Sequence, residues 1–207
     1  MTGKINGLSR IGILGGTFNP IHFGHLIMAE QAREFFGLKK VLLIPSGNSY
    51  MKDPAQILPA EKRYEMACLA ARGNPHFLVS DMEIRRGGDS YTCETLRELK
   101  VTCAGAELLY IVGADTLFGI ESWKAPDEIF SSCVLAVAAR DGCADKALDQ
   151  KAAELTQRYN ARIRMLPACR IEISSTQIRQ RIREGHSIRY LVPEPVRQFI
   201  EQNGLYR

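Results

Sequence analysis

Several features that mark other classes of protein are missing from this sequence. None of its six cysteines forms a C-x-x-C pair, which argues against a zinc site or a redox pair. There is no run of eighteen apolar residues, so we expect no membrane-spanning helix and no membrane partner. The first ten residues, MTGKINGLSR, lack the apolar stretch of a signal peptide. We therefore expect a cytoplasmic protein with reduced cysteines.

The sequence also lacks the signals that divide a chain into several domains. The 207 residues contain no internal repeat, low-complexity tract or convincing linker. This length suits one α/β domain. The content of 45% hydrophobic and 24% charged residues is ordinary for a protein with a packed core. We expect a single domain over residues 1–207.

Positive charge is concentrated in the last quarter of the chain. Residues 158–207 contain ten Lys or Arg and four Asp or Glu, a net charge of +6, whereas the rest of the chain has a net charge of about −2. Such a segment could attract phosphorylated ligands or nucleic acid, or it could form ordinary solvated helix surfaces. Because no aromatic platform is interleaved with the basic residues, we expect no nucleic-acid partner.

Short apolar segments alternate with helical patterns along the chain. The predicted strands are 11–15, 41–45, 77–80, 107–113, 133–140 and 162–166, and the predicted helices are 22–36, 60–71, 92–100, 145–159, 174–185 and 194–204. Continuous apolar strands that alternate with helices indicate a parallel sheet covered on both faces. Right-handed crossovers then predict a Rossmann-like, doubly wound α/β sheet, followed by a C-terminal helical segment, with ligands beyond the carboxyl ends of the strands.

The string GGTFNPIHFGHL follows the first predicted strand, where this fold binds ligands. Gly15 and Gly16 allow positive φ and close approach of a backbone. Thr17 and Phe18 can offer backbone N–H groups to an anion. The end of the first strand is therefore predicted to bind phosphate.

Two histidines open the helix that follows. His22 and His25 are three residues apart and share one face of the first turn. Gly24 between them would cost about 0.5–1 kcal/mol in a helix interior, which suggests that another group comes close there. Because a helix N-terminus supplies unpaired N–H groups and partial positive charge, the pair predicts a polyphosphate cradle. Metal binding, for which no third ligand is evident nearby, and a plain capping role are the alternatives.

A second string, ISSTQIRQRIREG over residues 173–185, repeats this logic near the C-terminus. Ser174 and the glutamine three residues later fit a capping box. Ser175 and Thr176 add hydroxyls at the same helix start, and Arg179 shares one face with the arginine four residues later. A capped basic helix is common as a purely structural feature. Paired with the first string, it predicts a second phosphate clamp.

Together, the two strings resemble the nucleotidyltransferase superfamily marked by an H-x-G-H element and an S-S-T-x-x-R element. More closely, the chain is similar to the bacterial nicotinate-nucleotide adenylyltransferases, from Gly15 to nearly the last residue. The strings SYTCETL, IVGADTLFGIESW and LVPEPVRQFIEQNGLY also resemble that family. The nearest alternative is a sister enzyme such as a pantetheine-phosphate adenylyltransferase or a cytidylyltransferase, and the length and the last two of these strings argue against it. A non-catalytic nucleotide sensor on the same fold is a further alternative.

The resemblance implies a reaction in NAD biosynthesis. ATP and nicotinate mononucleotide would give nicotinate adenine dinucleotide and pyrophosphate. Mg²⁺ would be the cofactor, carried by the substrate phosphates, so we predict no metal ligands in the protein. A homo-oligomer is a possible further assembly.

The resemblance also implies roles for individual residues. The catalytic residues would be His22, His25 and Arg179. Residues that bind ATP or phosphate would be Gly15, Gly16, Thr17, Phe18, Lys52, Gly113, Asp115, Ser174, Ser175 and Thr176. Asp115 would bind a ribose on the adenosine side. Trp123 would stack near the nicotinate ring, and backbone N–H groups near Thr92 and Lys124 would receive its carboxylate. Without the resemblance, Trp123 and Asp115 could instead be a packing aromatic and a helix cap.

Two positions depart from the pattern of the family. Many relatives have a P-P-H-K-like string after the second strand, where this chain reads PSGNSYMKD over residues 45–53. Tyr50 and Met51 stand in place of the histidine, and Lys52 would keep the phosphate-binding role. Asn19 stands where Asp is frequent.

Overall fold

The structure is a computed structural model, and it describes residues 7–48, 53–140, 146–168 and 171–207. Its strands are β1 Arg10–Gly16, β2 Val41–Pro45, β3 Phe77–Val79, β4 Glu107–Gly113, β5 Val134–Arg140 and β6 Arg162–Ala168. They form one sheet in the order β3-β2-β1-β4-β5-β6, and every neighbouring pair is parallel. This is the strand order of a doubly wound, Rossmann-like fold, so the predicted fold class is confirmed.

Helices connect the strands and cover the sheet. In the described part of the chain they are α1 Phe23–Phe35, α2 Ala60–Ala71, α3 Met82–Arg86, α4 Thr92–Thr102, α5 Ala114–Gly119, α6 Pro126–Ser132, α7 Lys146–Tyr159, α8 Ser175–Arg183 and α9 Glu194–Gln202. Two 3₁₀ turns lie at Pro54–Gln56 and Ile120–Ser122. None of the described helices is long and apolar enough to cross a membrane.

The apolar strands supply two cores, one on each face of the sheet. Alternate residues of a strand point to opposite faces: in β2, Leu43 belongs to one core and Leu42 and Ile44 to the other. The first core includes buried residues of α1, α2, α8 and α9, and the second includes buried residues of α3, α4, α5, α6 and α7. Burial on both faces explains why these strands appear in the sequence as continuous apolar runs.

The strand order reverses between β1 and β4, which are neighbours in the sheet. One half of the fold winds outward from β1 through β2 to β3, and the other from β4 through β5 to β6. The two central strands end at Gly16 and Gly113. In such folds the ligand crevice lies beyond these two ends.

All six strands and six of the helices were predicted from the sequence, with boundaries within a few residues. Three short helices were not: α3, α5 and α6 span five, six and seven residues. Helices of fewer than two turns show too little periodicity to be recognised. Of the cysteines, Cys93, Cys103 and Cys133 are buried free thiols, and Cys68 is a partly buried one. Cys143 and Cys169 lie outside the described residues.

Candidate active site

Two adjoining cavities open where the strand order reverses. The larger, of about 830 Å³, is lined by residues of both sequence motifs, including His22, His25, Ser175, Thr176 and Arg179; we call it the two-motif cavity. The other, of about 570 Å³, is lined by the ends of β1 and β4 and by Thr92 and Trp123; we call it the strand-end cavity. His25, Met28, Gly113 and Asp115 line both cavities. The two cavities are therefore adjacent and share these lining residues. A ligand in one cavity could contact a ligand in the other at this boundary.

The two motifs meet through direct hydrogen bonds, although more than 150 residues separate them. Ser175 Oγ donates to the carbonyl of Pro20 at 2.8 Å. Arg179 Nη1 donates to the carbonyl of Asn19 at 2.9 Å, and Nη2 donates to Thr176 Oγ1 at 3.3 Å. The start of α8 is thus fixed against the loop that leads into α1.

The two histidine rings lie one on the other at the start of α1. Their centroids are 3.7 Å apart, and the backbone N–H of His22 donates to Nδ1 of His25 at 3.3 Å. Because Nδ1 accepts, a neutral His25 ring carries its proton on Nε2, which is then a donor. His22 is 6% exposed, and its Nδ1 has no hydrogen-bond partner among the residues that the structure describes. Burial lowers the pKa of His22 to about 4, so this ring is neutral at pH 7.

The glycines of the first motif are required for space. Neither Gly15 nor Gly16 has positive φ; the residue that does is Phe18, at 48°. The two glycines therefore do not use the positive φ that they allow, because the turn is made at Phe18, two residues after Gly16. A Cβ on Gly15 would lie 2.7 Å from the Tyr110 hydroxyl, and one on Gly16 would lie 2.9 Å from the Phe18 ring. The space beside the two glycines is therefore occupied by these neighbouring side chains.

Gly24 has a similar explanation. A Cβ there would lie 3.0 Å from Nδ1 of His22 and 3.5 Å from the backbone carbonyl of Ile173, just before the second motif. The group that comes close, as the sequence suggested, is thus the His22 ring together with the other motif.

At the second motif, the structure shows one of the two hydrogen bonds of the predicted capping box. Ser174 is the N-cap of α8, and its Oγ accepts from the backbone N–H of Gln177 at 3.1 Å. Ser174, Ser175 and Thr176 all line the two-motif cavity. The helix start therefore presents hydroxyls and its positive end to that cavity.

The strand-end cavity is aromatic and rich in hydroxyls. Thr92 Oγ1 and the Tyr110 hydroxyl are 3.3 Å apart. The Tyr110 and Trp123 rings meet edge to face with centroids 6.4 Å apart. Ser46 Oγ, also in the wall, is buried and has no hydrogen-bond partner within the described part of the chain. Such a wall suits a flat ring that carries polar substituents.

Of the remaining predicted site residues, some line a cavity and others do not. Gly15, Gly16 and Thr17 line the strand-end cavity, whereas Phe18 lines neither cavity and is 2% exposed. Lys124 does not line either of these two cavities. Its Nζ pairs with Glu94 at 2.8 Å and lies over the Tyr91 ring. Lys52, Tyr50 and Met51 lie outside the described residues.

Comparisons with known proteins identify the family of this chain. The model of the cytidylyltransferase-like family matches residues 13–181. A probable nicotinate-nucleotide adenylyltransferase of Lachnoclostridium phytofermentans is 41% identical over 199 residues, which cover 96% of this chain and 100% of that protein. A protein of the same name from Moorella thermoacetica is also 41% identical, over 96% of this chain and 92% of that protein. The chain belongs to the nicotinate-nucleotide adenylyltransferase family.

A solved structure shares the fold at much lower sequence identity. Nicotinic acid mononucleotide adenylyltransferase of Plasmodium falciparum, complexed with NaAD, superposes with a TM-score of 0.78 at 15% identity, over 96% of this chain and 97% of that one. At this level of identity, the adenylyltransferase match establishes the fold alone.

One residue that organises this adenylyltransferase site was missed by the sequence analysis. Arg63 of α2 is 1% exposed and donates to three backbone carbonyls: Leu58 at 2.9 Å, Thr17 at 2.7 Å and Gly47 at 2.6 Å. Two of these belong to the loops after β1 and β2. A signal was present, because Arg63 lies three residues before the buried Met66, in the apolar stripe of the helix.

Within the described residues, no group of three or more His, Cys, Asp or Glu side chains is placed to hold a metal ion.

Proposed function

We propose that the protein transfers AMP from MgATP to nicotinate mononucleotide, releasing pyrophosphate and forming nicotinate adenine dinucleotide for NAD biosynthesis. The observation that carries this proposal is the pair of cavities with a shared wall at the ends of β1 and β4. A reaction between two nucleotides needs two adjoining chambers, with the reacting phosphates at the junction. Membership of the adenylyltransferase family supports the assignment of ATP and the pyridine nucleotide to them.

ATP is assigned to the two-motif cavity. Its phosphates would receive hydrogen bonds from His25 and His22, and the β- and γ-phosphates would lie at the start of α8 near Ser175 and Arg179. Two helix N-termini, two imidazoles and a guanidinium together stabilise negative charge. Asp115, in the shared wall, would accept hydrogen bonds from ribose hydroxyls.

The pyridine nucleotide is assigned to the strand-end cavity. Trp123 would stack on the nicotinate ring, and backbone N–H groups at Thr92 and Lys124 would hold its carboxylate. The glycines at the end of β1 and the backbone of Thr17 would lie beside its phosphate. Lys52 and the N–H of Phe18 stay predicted phosphate ligands.

The chemistry needs alignment and charge stabilisation. A phosphate oxygen of the mononucleotide attacks the α-phosphorus of ATP, a new P–O bond forms, and the bond from that phosphorus to the bridging oxygen breaks as pyrophosphate leaves. Because the nucleophile is already an anion, no general base is required. His25, in the wall common to both cavities, would donate to the α-phosphate as charge develops on it, and Arg179 would hold the leaving pyrophosphate. Mg²⁺, held by the substrate phosphates, would supply further positive charge.

The direct test is a comparison of acceptors. Initial rates of pyrophosphate release would be measured with MgATP and either nicotinate or nicotinamide mononucleotide, with phosphopantetheine as a third acceptor and MgCTP as a second donor. We expect turnover with MgATP and the pyridine mononucleotides, with nicotinate mononucleotide preferred. Turnover only with phosphopantetheine or CTP would assign the chain to a sister activity. Binding of ATP without turnover on any acceptor would indicate a nucleotide sensor.

A further inference from the structure

Asn19 is a meeting point for three segments that are distant in the sequence. Its side chain is buried, with 4% of the residue exposed. Nδ2 donates to the carbonyl of Gln56 at 2.9 Å. Oδ1 accepts from the backbone N–H of Leu58 at 3.3 Å and from the hydroxyl of Tyr206 at 2.9 Å. The amide oxygen thus uses both of its acceptor positions.

The C-terminal turn brings Tyr206 to this point. After α9 ends, Gly204 has a φ of 58° and the backbone N–H of Leu205 donates to the carbonyl of Ile200 at 3.0 Å, so the chain turns back. Tyr206 itself has a φ of 67° and packs against the first core. Burial raises the pKa of Tyr206, so its hydroxyl stays a neutral donor at ordinary pH.

The backbone beside Asn19 holds the reactive end of the site. The carbonyl of Asn19 accepts from Arg179, the carbonyl of Pro20 accepts from Ser175, and His22 follows two residues later as the N-cap of α1. A shift of this loop would move the guanidinium and the imidazole together. Thr92 and Trp123, which surround the proposed site of the nicotinate ring, lie on other elements and form no hydrogen bond with Asn19. The part of the mononucleotide site around this ring should therefore be unaffected.

We propose that Tyr206 is a positioning residue: by donating to Asn19, it fixes the loop that aligns His22 and Arg179 around ATP. The inference rests on the proposed function for its assignment of ATP to the two-motif cavity. It gives Tyr206 a role in one substrate site and not in the other.

Tyr206→Phe tests this role by removing only the hydroxyl. Tyr190→Phe is the matched control. It removes the same hydroxyl group in the same C-terminal segment, but Tyr190 is 82% exposed. KM for MgATP, KM for nicotinate mononucleotide, kcat and the Kd of Mg²⁺ with α,β-methylene-ATP would be measured for both. For Tyr206→Phe we expect KM and Kd for the adenine nucleotides to rise about three- to tenfold, the range for loss of one hydrogen bond. KM for the mononucleotide should stay within twofold, and the control should match the wild type.

A double-mutant cycle with Asn19→Ala ties the effect to the contact. In the Asn19→Ala background, Tyr206→Phe should have almost no further effect. Unchanged ATP affinity in Tyr206→Phe, equal losses for both substrates, additive effects in the cycle, or a variant that fails to fold would each overturn the proposal. The Kd for the ATP analogue needs no acceptor. If the wild type fails to use nicotinate mononucleotide, the proposed function falls, while the role of Tyr206 is still decided by that Kd.

Discussion

At the scale of single residues, the two histidines of the first motif differ although their rings are stacked. His22 is buried, with its uncharged form favoured, and it forms the N-cap of α1. His25 lies in the wall that both cavities share, and its Nδ1 accepts a hydrogen bond from the backbone N–H of His22. We therefore expect His25 to act on the reacting phosphate, and His22 to fix the position of that ring and contact the remaining phosphates.

Replacing His25 should impair the reaction and leave the fold intact. Loss of one well-placed donor to a developing charge costs about 2.7–4 kcal/mol, or 10²–10³ in rate, so His25→Ala should lower kcat by that factor. The control is His186→Ala, since His186 is an exposed residue that pairs with Glu184. Steady-state rates and circular dichroism would be measured for both. Turnover close to that of the wild type in folded His25→Ala would remove His25 from the mechanism.

Burial of His22 predicts a pH dependence of stability. In the unfolded chain His22 takes up a proton below its ordinary pKa of 6.5, whereas the folded protein resists protonation until about pH 4. The unfolded state therefore binds more protons in this window, and stability falls as the pH falls. Between pH 7 and 4.5 we expect the wild type to lose about 2–3 kcal/mol more than His22→Asn. Urea unfolding across this range measures it, and parallel losses in both proteins would contradict the prediction.

At the scale of elements, a helix far from the motifs supports the strand-end cavity. The 3₁₀ turn Ile120–Ser122 leads directly into Trp123. The Glu121 carboxylate in that turn accepts from three side chains of α7: Lys151 Nζ at 2.6 Å, Arg158 Nη1 at 2.8 Å and the Tyr159 hydroxyl at 3.0 Å. The hydrogen bonds from Lys151 and Tyr159 lower the pKa of Glu121. The charged carboxylate thus anchors the turn and, with it, the position of the indole.

Glu121→Gln should weaken binding of the pyridine nucleotide alone. The amide keeps one acceptor but loses the charge that holds three donors, so Trp123 is less well fixed. We expect KM for nicotinate mononucleotide to rise roughly two- to fivefold, as for loss of a partly exposed ion-pair network, with KM for MgATP unchanged. Glu154→Gln is the control, because Glu154 also pairs with Lys151 at 3.2 Å but does not touch the turn. A rise in both KM values, or in neither, would exclude this role for α7.

The elements also show what the sequence could and could not predict. The six strands were predictable because burial on both faces makes them continuous apolar runs. The convergence of the motifs was predictable because both lie at helix starts after strands. The assignment of residues to one cavity or the other was not predictable, since the spacing of Gly15 and Thr17 in the sequence does not reveal which cavity they line. The contact between Asn19 and Tyr206 was also invisible, because 187 residues separate them and neither one has a distinctive pattern.

At the scale of the whole molecule, the site depends on contacts between segments that are distant in the sequence and that meet at one edge of the sheet. Arg63 joins the loops after β1 and β2 through the carbonyls of Thr17 and Gly47. The contacts of Ser175 and Arg179 with the loop after β1 then bring the C-terminal helices to the same edge. The phosphates of one nucleotide would thus be held by the first and the second sequence motif together, beyond the ends of the two central strands of the sheet.

The central claim is that the starts of α1 and α8 hold one triphosphate between them. A crystal structure of the complex with Mg²⁺ and α,β-methylene-ATP tests it most directly. We predict phosphate oxygens within hydrogen-bond distance of the His25 ring at one end and of Ser175, Thr176 or Arg179 at the other. A triphosphate that contacts only one of the two helix starts, with the other facing solvent, would contradict the account.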